Sequence, residues 1–260
     1  MYKHLNYSVE DKVATVALDR PESLNAFDLV MAEELADCLS CCTDDVEIRA
    51  LIVKGEGRFF SVGGDIKQMQ QASSRPYFLR MLTMYLHTAI STIWRMPKPV
   101  IAAVHGAVTG LSFALTLACD LIVAAEGTKF GTSYLAIGLS PDGGTTFLLP
   151  RIVGLHRSKY ITFTNDMIDA STAYHLGFVN QVVKGEELMV EANKIAKKLA
   201  SAPPLAIAKT KELFNSNYGL SLETQMELER NAISFTSGTA DFEEGLSAFF
   251  GKRSPVFKGR

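Results

Sequence analysis

The chain lacks a charge of one dominant sign. It has 26 lysines and arginines against 28 aspartates and glutamates, a net charge of −2. A basic field that would draw in nucleic acid or an anionic membrane is therefore excluded. Long apolar runs are also missing. Stretches such as Val100–Val104 and Leu111–Ala125 are short or broken by polar residues. None offers the roughly 20 apolar residues of a spanning helix. The opening Met1-Tyr2-Lys3-His4-Leu5-Asn6 has no apolar signal core, so a cytoplasmic location is expected. Cysteine is scarce. Cys38, Cys41 and Cys42 crowd onto one predicted helix, and Cys119 stands far away. That is neither a disulfide framework nor a zinc spacing, and free thiols in a reducing compartment are expected. The chain carries no metal-ligating cluster, dinucleotide fingerprint, repeat or low-complexity segment. No metal and no redox cofactor are expected.

What is present is 260 residues with 47% hydrophobic content. That is enough for one sizeable core, or one domain with a small appendage. Val13–Leu18, Ala50–Val53, Val100–Val104 and Leu121–Ala125 read as short buried strands. Asp28–Ser40 and Tyr77–Trp94 show apolar residues at helical spacing. Arg95-Met96-Pro97-Lys98-Pro99 ends the second, because proline disfavours helix in itself and in the residue before it. Leu111–Cys119 reads as a fully buried helix. Strands alternating with helices predict α/β with parallel pairing.

The pattern changes near residue 190. Leu188–Ala202, Pro204–Tyr218, Ser221–Ser237 and Ala240–Phe249 are helical only. The expected organisation is an α/β body over 1–190 and an all-helical region over 191–260.

Three glycine-bearing segments carry the functional signal: Phe60-Ser61-Val62-Gly63-Gly64-Asp65, His105-Gly106-Ala107-Val108-Thr109-Gly110-Leu111, and Gly138-Leu139-Ser140-Pro141-Asp142-Gly143-Gly144-Thr145. Together they resemble the crotonase (enoyl-CoA hydratase/isomerase) superfamily, over nearly the whole chain. The resemblance implies a spiral of ββα turns. It also implies an oxyanion hole, in which two backbone N–H groups meet the thioester oxygen as it gains charge. The matching positions are Val62 and Leu111, with Gly110 opening the buried helix. Both are bulkier than the family's usual small residues.

Hydratases of that family carry glutamates where this chain has Ala114 and Tyr134. Hydration needs one group to take a proton and another to give it. Alanine can do neither, and a phenol with an ordinary pKa of about 10 is a poor base. Asp142 remains. Gly-Leu-Ser-Pro-Asp-Gly-Gly resembles the enoyl-CoA isomerases and the ring-epoxide isomerases of phenylacetate breakdown. One carboxylate is sufficient to move a double bond from 3-enoyl-CoA to 2-enoyl-CoA. His87 opens an alternative. In the 4-chlorobenzoyl-CoA dehalogenase branch a histidine at this place partners an aspartate at the position of Asp142; there the aspartate attacks the aromatic ring and the histidine activates water to release the aryl ester. Hydratase-type activity and an inactive acyl-CoA-binding subunit complete the alternatives.

The resemblance also implies that Leu24 and Ala26 line the CoA side, and that Gly64, Asp65 and Ile66 meet the adenine. Tyr134 would contact substrate, and Lys252 and Arg253 would reach the CoA phosphates. CoA thioester is the substrate, so no separate cofactor is expected. The expected assembly is a homotrimer or a dimer of trimers, built through helix faces bearing Leu213, Leu222, Met226, Ile233 and Phe235.

Overall fold

Two sheets organise the computed structural model, which describes residues 2–260. The strands are β1 (Leu5–Glu10), β2 (Val13–Leu18), β3 (Ala50–Gly55), β4 (Val100–Val104), β5 (Ala107–Thr109), β6 (Leu121–Ala125), β7 (Lys129–Gly131), β8 (Ile168–Asp169) and β9 (Gln181–Val183). The larger sheet runs β1-β2-β3-β4-β6-β9. The pairs from β2 onward are parallel, and β1 joins β2 antiparallel through a tight turn at Asp11-Lys12. Only Leu5 of β1 is buried, so this edge strand leaves no alternating pattern to read. The smaller sheet, β5-β7-β8, is extended by a parallel bridge between Ser61 and Val108.

The helices are α1 (Leu29–Asp44), α2 (Ile66–Gln71), α3 (Arg75–Arg95), α4 (Leu111–Ala118), α5 (Thr145–Val153), α6 (Leu155–Thr164), α7 (Ala170–Leu176), α8 (Leu188–Ala200), α9 (Pro204–Ser216), α10 (Leu222–Ser237) and α11 (Ala240–Phe250). None is long and apolar enough to cross a membrane, among the described residues. The Asp28 carboxylate starts α1 by accepting the Met31 N–H at 2.7 Å. The helix continues past Ser40 to Asp44, burying Cys38 and Cys42 and leaving Cys41 exposed.

A parallel sheet must be covered on both faces, so its strands are apolar throughout. Alternate residues serve opposite sides. Ala14, Val16, Leu18, Leu51 and Val53 pack with α1, α3 and α4. Val13, Ala50, Ile52, Ile101 and Ala103 pack against Leu188, Ala192, Ala196 and Ala200 of α8. Those four lie one turn apart on a single stripe of the helix. The expected boundary at residue 190 therefore falls inside a helix that closes the body's second core. The helices that stand outside the two sheets begin at Pro203-Pro204.

Lys211 pins α9 to the body. Its ammonium donates to the Asp120 carboxylate at 2.6 Å and to the carbonyls of Ile93 and Lys98 at 2.8 and 3.1 Å. Along α10, Leu222, Met226, Ile233 and Phe235 are exposed. The chain end folds back, with the Asp241 carboxylate accepting the Lys258 and Gly259 N–H groups at 2.6 and 2.8 Å.

Candidate active site

The turn between Phe60 and Asp65 meets the entry of α4 at close range. Gly63 has a φ of +87°, and a Cβ there would lie 2.7 Å from the Thr109 carbonyl. Gly110, with φ +58° and ψ −126°, opens α4 in a conformation closed to other residues. Two glycines thus let two backbone segments touch. Ser61 and Ser112 lace them together, the Ser112 hydroxyl donating to the Ser61 carbonyl at 2.7 Å.

Of the cleft-lining residues at this contact, two have N–H groups without an acceptor among the described residues, Gly64 and Leu111. Leu111 is the first residue of α4, where helical geometry supplies no partner and the helix dipole is positive. This corrects the expectation for Val62. The Val62 N–H donates to the Leu24 carbonyl at 3.3 Å, and its carbonyl accepts the Thr109 hydroxyl at 2.9 Å. Its backbone is occupied, and the available amide of that turn lies two residues on, at Gly64.

Both N–H groups border a cleft of 230 Å³. Val62, Ile66, Gly110, Tyr134 and Asp142 line it as well, and Asp142 is the only carboxylate on its wall. The Asp142 side chain is 32% exposed and accepts one ring nitrogen, His87 Nε2, at 2.7 Å. Its backbone carbonyl is held by the Thr145 hydroxyl at 2.7 Å and the Tyr134 phenol at 3.3 Å. Burial and, secondarily, the nearby Asp142 charge push the Tyr134 pKa upward. The phenol stays protonated and serves as a donor. His87 reaches Asp142 from outside the cleft, through a neighbouring hollow that it shares with Trp94 and Phe147.

Ala114 does not line the cleft. It is fully buried beneath Gly143, where an added Cβ would stand 2.8 Å from the Ala114 methyl. The loop bearing Asp142 thus covers Ala114.

Other expected residues lie apart from the cleft. The Asp65 carboxylate, expected against adenine, is used inside the fold. It caps α2 through the Lys67 and Gln68 N–H groups at 3.1 Å each and pairs with Arg20 at 3.3 Å. Leu24 is exposed and Ala26 is buried, and neither lines the cleft. The Ala26 carbonyl accepts the Arg20 guanidinium at 2.5 Å, which ties its loop to the 60–65 turn through Asp65. Lys252 is exposed just beyond α11, whereas Arg253 is bound to Glu244 at 2.5 and 2.7 Å. Thr132 and Ser133 also line the cleft, and Thr145 supports the Asp142 backbone. Thr145 was legible as the residue closing the glycine turn, whereas nothing in residue type or spacing marks Thr132 or Ser133.

Comparison with known proteins agrees with this geometry. A family model described as Enoyl-CoA hydratase/isomerase matches residues 8–260. The chain belongs to the enoyl-CoA hydratase/isomerase family. The chain is 35% identical to a 1,2-epoxyphenylacetyl-CoA isomerase of Escherichia coli, over 97% of each chain. It is 34% identical to a crotonyl-CoA hydratase of Syntrophomonas wolfei, over 98% of each. Among solved structures, an enoyl-CoA hydratase from Bacillus anthracis superposes with a TM-score of 0.95 at 31% identity, covering 99% of this chain and 100% of that one. One from Polaromonas sp. JS666 does so at 0.94 and 33%, covering 98% and 99%. The α/β body with its C-terminal helices is the fold of this family, and the chain is one of its acyl-CoA enzymes.

Proposed function

We propose that this family member is an isomerase that moves a double bond from 3-enoyl-CoA to 2-enoyl-CoA. One observation carries the reading: the cleft wall holds a single carboxylate, Asp142. Asp142 takes a proton from C2 of the thioester and returns it at C4. The charge that builds on the thioester oxygen meets the N–H groups of Gly64 and Leu111, which have no other acceptor. His87 orients the carboxylate, and Tyr134 and Thr145 hold its backbone. Hydration would need a second proton-transferring carboxyl. Ala114 is sealed under Gly143, and the Tyr134 phenol is a weaker acid than usual.

The test is direct. The enzyme is mixed with 3-enoyl-CoA and the conjugated 2-enoyl thioester is followed by its absorbance. No conversion overturns the reading.

The 2.7 Å bond between His87 and Asp142 favours a second reading, hydrolysis through an aspartyl ester. Release of halide from a halogenated aryl thioester would establish it. The exposed apolar face of α10 supports a homotrimer or dimer of trimers, measurable by light scattering. Lys252 is the proposed contact for the CoA phosphates, with Arg253 already paired.

A further inference from the structure

The backbone of Gly64 does not require glycine. Its φ lies outside the left-handed region that marks most glycines of this chain. The reason for glycine there is space. A Cβ built on Gly64 would overlap the Met69 Cε, and it would stand 3.5 Å from Leu82 Cδ2 and 3.9 Å from Leu111 Cδ1. Beside this amide there is no room for one more carbon atom. Gly64, Met69 and Leu111 all belong to the cleft wall, so the filled space borders the cleft.

The Leu111 side chain continues the same packing toward the base. Its second methyl, Cδ2, lies 3.1 Å from where a Gly143 Cβ would be, and Gly143 follows Asp142. One isobutyl group therefore touches the place beside an oxyanion amide at one end and the loop of the carboxylate at the other. Leu111 is 4% exposed, so its packing holds it there.

C2 of a bound thioester lies over this group. The thioester oxygen is held by the Gly64 and Leu111 N–H groups, and Asp142 reaches a proton on C2. The C–H bond that breaks stands perpendicular to the thioester plane, so that its electrons flow into the carbonyl. The other two substituents of C2 then lie near that plane, one beside the oxygen and one beside the sulfur. A straight chain can keep its carbon on the sulfur side and leave a hydrogen beside the oxygen. A chain branched at C2 has carbon on both sides. One of those carbons must enter the space that Met69 and Leu111 fill.

We propose that Leu111 and Met69 restrict this enzyme to acyl-CoA thioesters unbranched at C2. The inference rests on the reading of Asp142 as the base at C2 and of Gly64 and Leu111 as the donors to the thioester oxygen.

The test is calorimetric titration with butanoyl-CoA and 2-methylbutanoyl-CoA. They differ by one methyl, and neither has a double bond to move. The parent is expected to bind butanoyl-CoA at least about tenfold tighter, the size of a one-carbon misfit in an apolar site. Leu111→Ala keeps the N–H and opens the space from α4, whereas Met69→Ala opens it from α2 at a half-buried position. In at least one of them the preference should narrow by about threefold or more. If the melting curve shows that Leu111→Ala is not folded, Met69→Ala decides alone. A parent preference below about tenfold overturns the proposal, and so does a narrowing of less than about threefold in every folded variant. Turnover of 3-enoyl-CoA is measured separately. A parent that isomerises 3-enoyl-CoA but binds the two thioesters alike keeps the isomerase reading and loses this one. A parent that discriminates between them without isomerising loses only the isomerase reading.

Discussion

Asp120 and Asp142 lie 22 positions apart and are bonded in opposite ways. One oxygen of Asp120 accepts both the Lys211 ammonium at 2.6 Å and the Val100 N–H at 2.7 Å. Burial pushes its pKa up, and those two partners pull against the shift. Asp142 has one side-chain partner, His87, and the rest of its carboxylate faces a cleft. Asp120 thus joins β4, α4 and α9 into one body, and moving its proton would loosen that junction. In the proposed reaction Asp142 would exchange a proton without disturbing the fold, because its loop is held through its backbone carbonyl. The same contrast separates the backbone amides of the 60–65 turn. Val62 is spent on structure and Gly64 is left available.

The largest effect should come from Asp142→Asn. Turnover of 3-enoyl-CoA is expected to fall by about two to four decades, with an unchanged melting temperature. A small loss would make Asp142 as structural as Asp120. The converse change is Lys211→Met. It leaves the Asp120 carboxylate covered and unpaired and should cost about 3–5 kcal/mol in urea unfolding. At temperatures where the variant is folded, kcat should be unchanged. A proportionate loss of turnover would join the two carboxylates functionally.

A smaller effect is expected from His87→Gln. Isomerisation should slow by about tenfold or less, since the base remains and only its orientation loosens. Halide release from an aryl thioester would instead vanish if the pair acts hydrolytically, so the variant separates the two readings. Tyr134→Phe removes one 3.3 Å bond to the Asp142 carbonyl. That is worth about 1 kcal/mol, and a loss of turnover of a few-fold at constant KM would match it.

The smallest effect concerns the chain end. Arg253, and then the Val256 N–H, hold the Glu244 carboxyl down to about 2. A depressed carboxyl stabilises the fold above its ordinary value near 4.5 and loses that contribution as pH falls toward 2. Hydrogen exchange at Val256 should therefore quicken between those values, and Glu244→Gln should remove the pH dependence.

The strands from Val13 to Ala125 and the long helices were legible because a sheet covered on both faces needs unbroken apolar runs, and helices at its surface need a 3.6-residue stripe. The edge strand β1, the three-residue strands of the smaller sheet and the 190 boundary were not. Each depends on what a residue faces. Leu188, Ala192, Ala196 and Ala200 form the same stripe whether they pack on a sheet or on another helix. The cleft was legible through its glycines and through Asp142. The amide at Gly64 was not, because every non-proline residue has an N–H. Only the surroundings show which are left over.

By itself, then, the sequence determined the alternation of strand and helix, the glycine turns and the absence of glutamate at Ala114 and Tyr134. Those are properties of residue type and order. Tertiary structure decided that Gly143 seals Ala114, that His87 touches Asp142, and that Val62 is bound while Gly64 is not. Each is a distance between residues remote in the chain, and hydrogen-bond satisfaction is settled only when those segments meet.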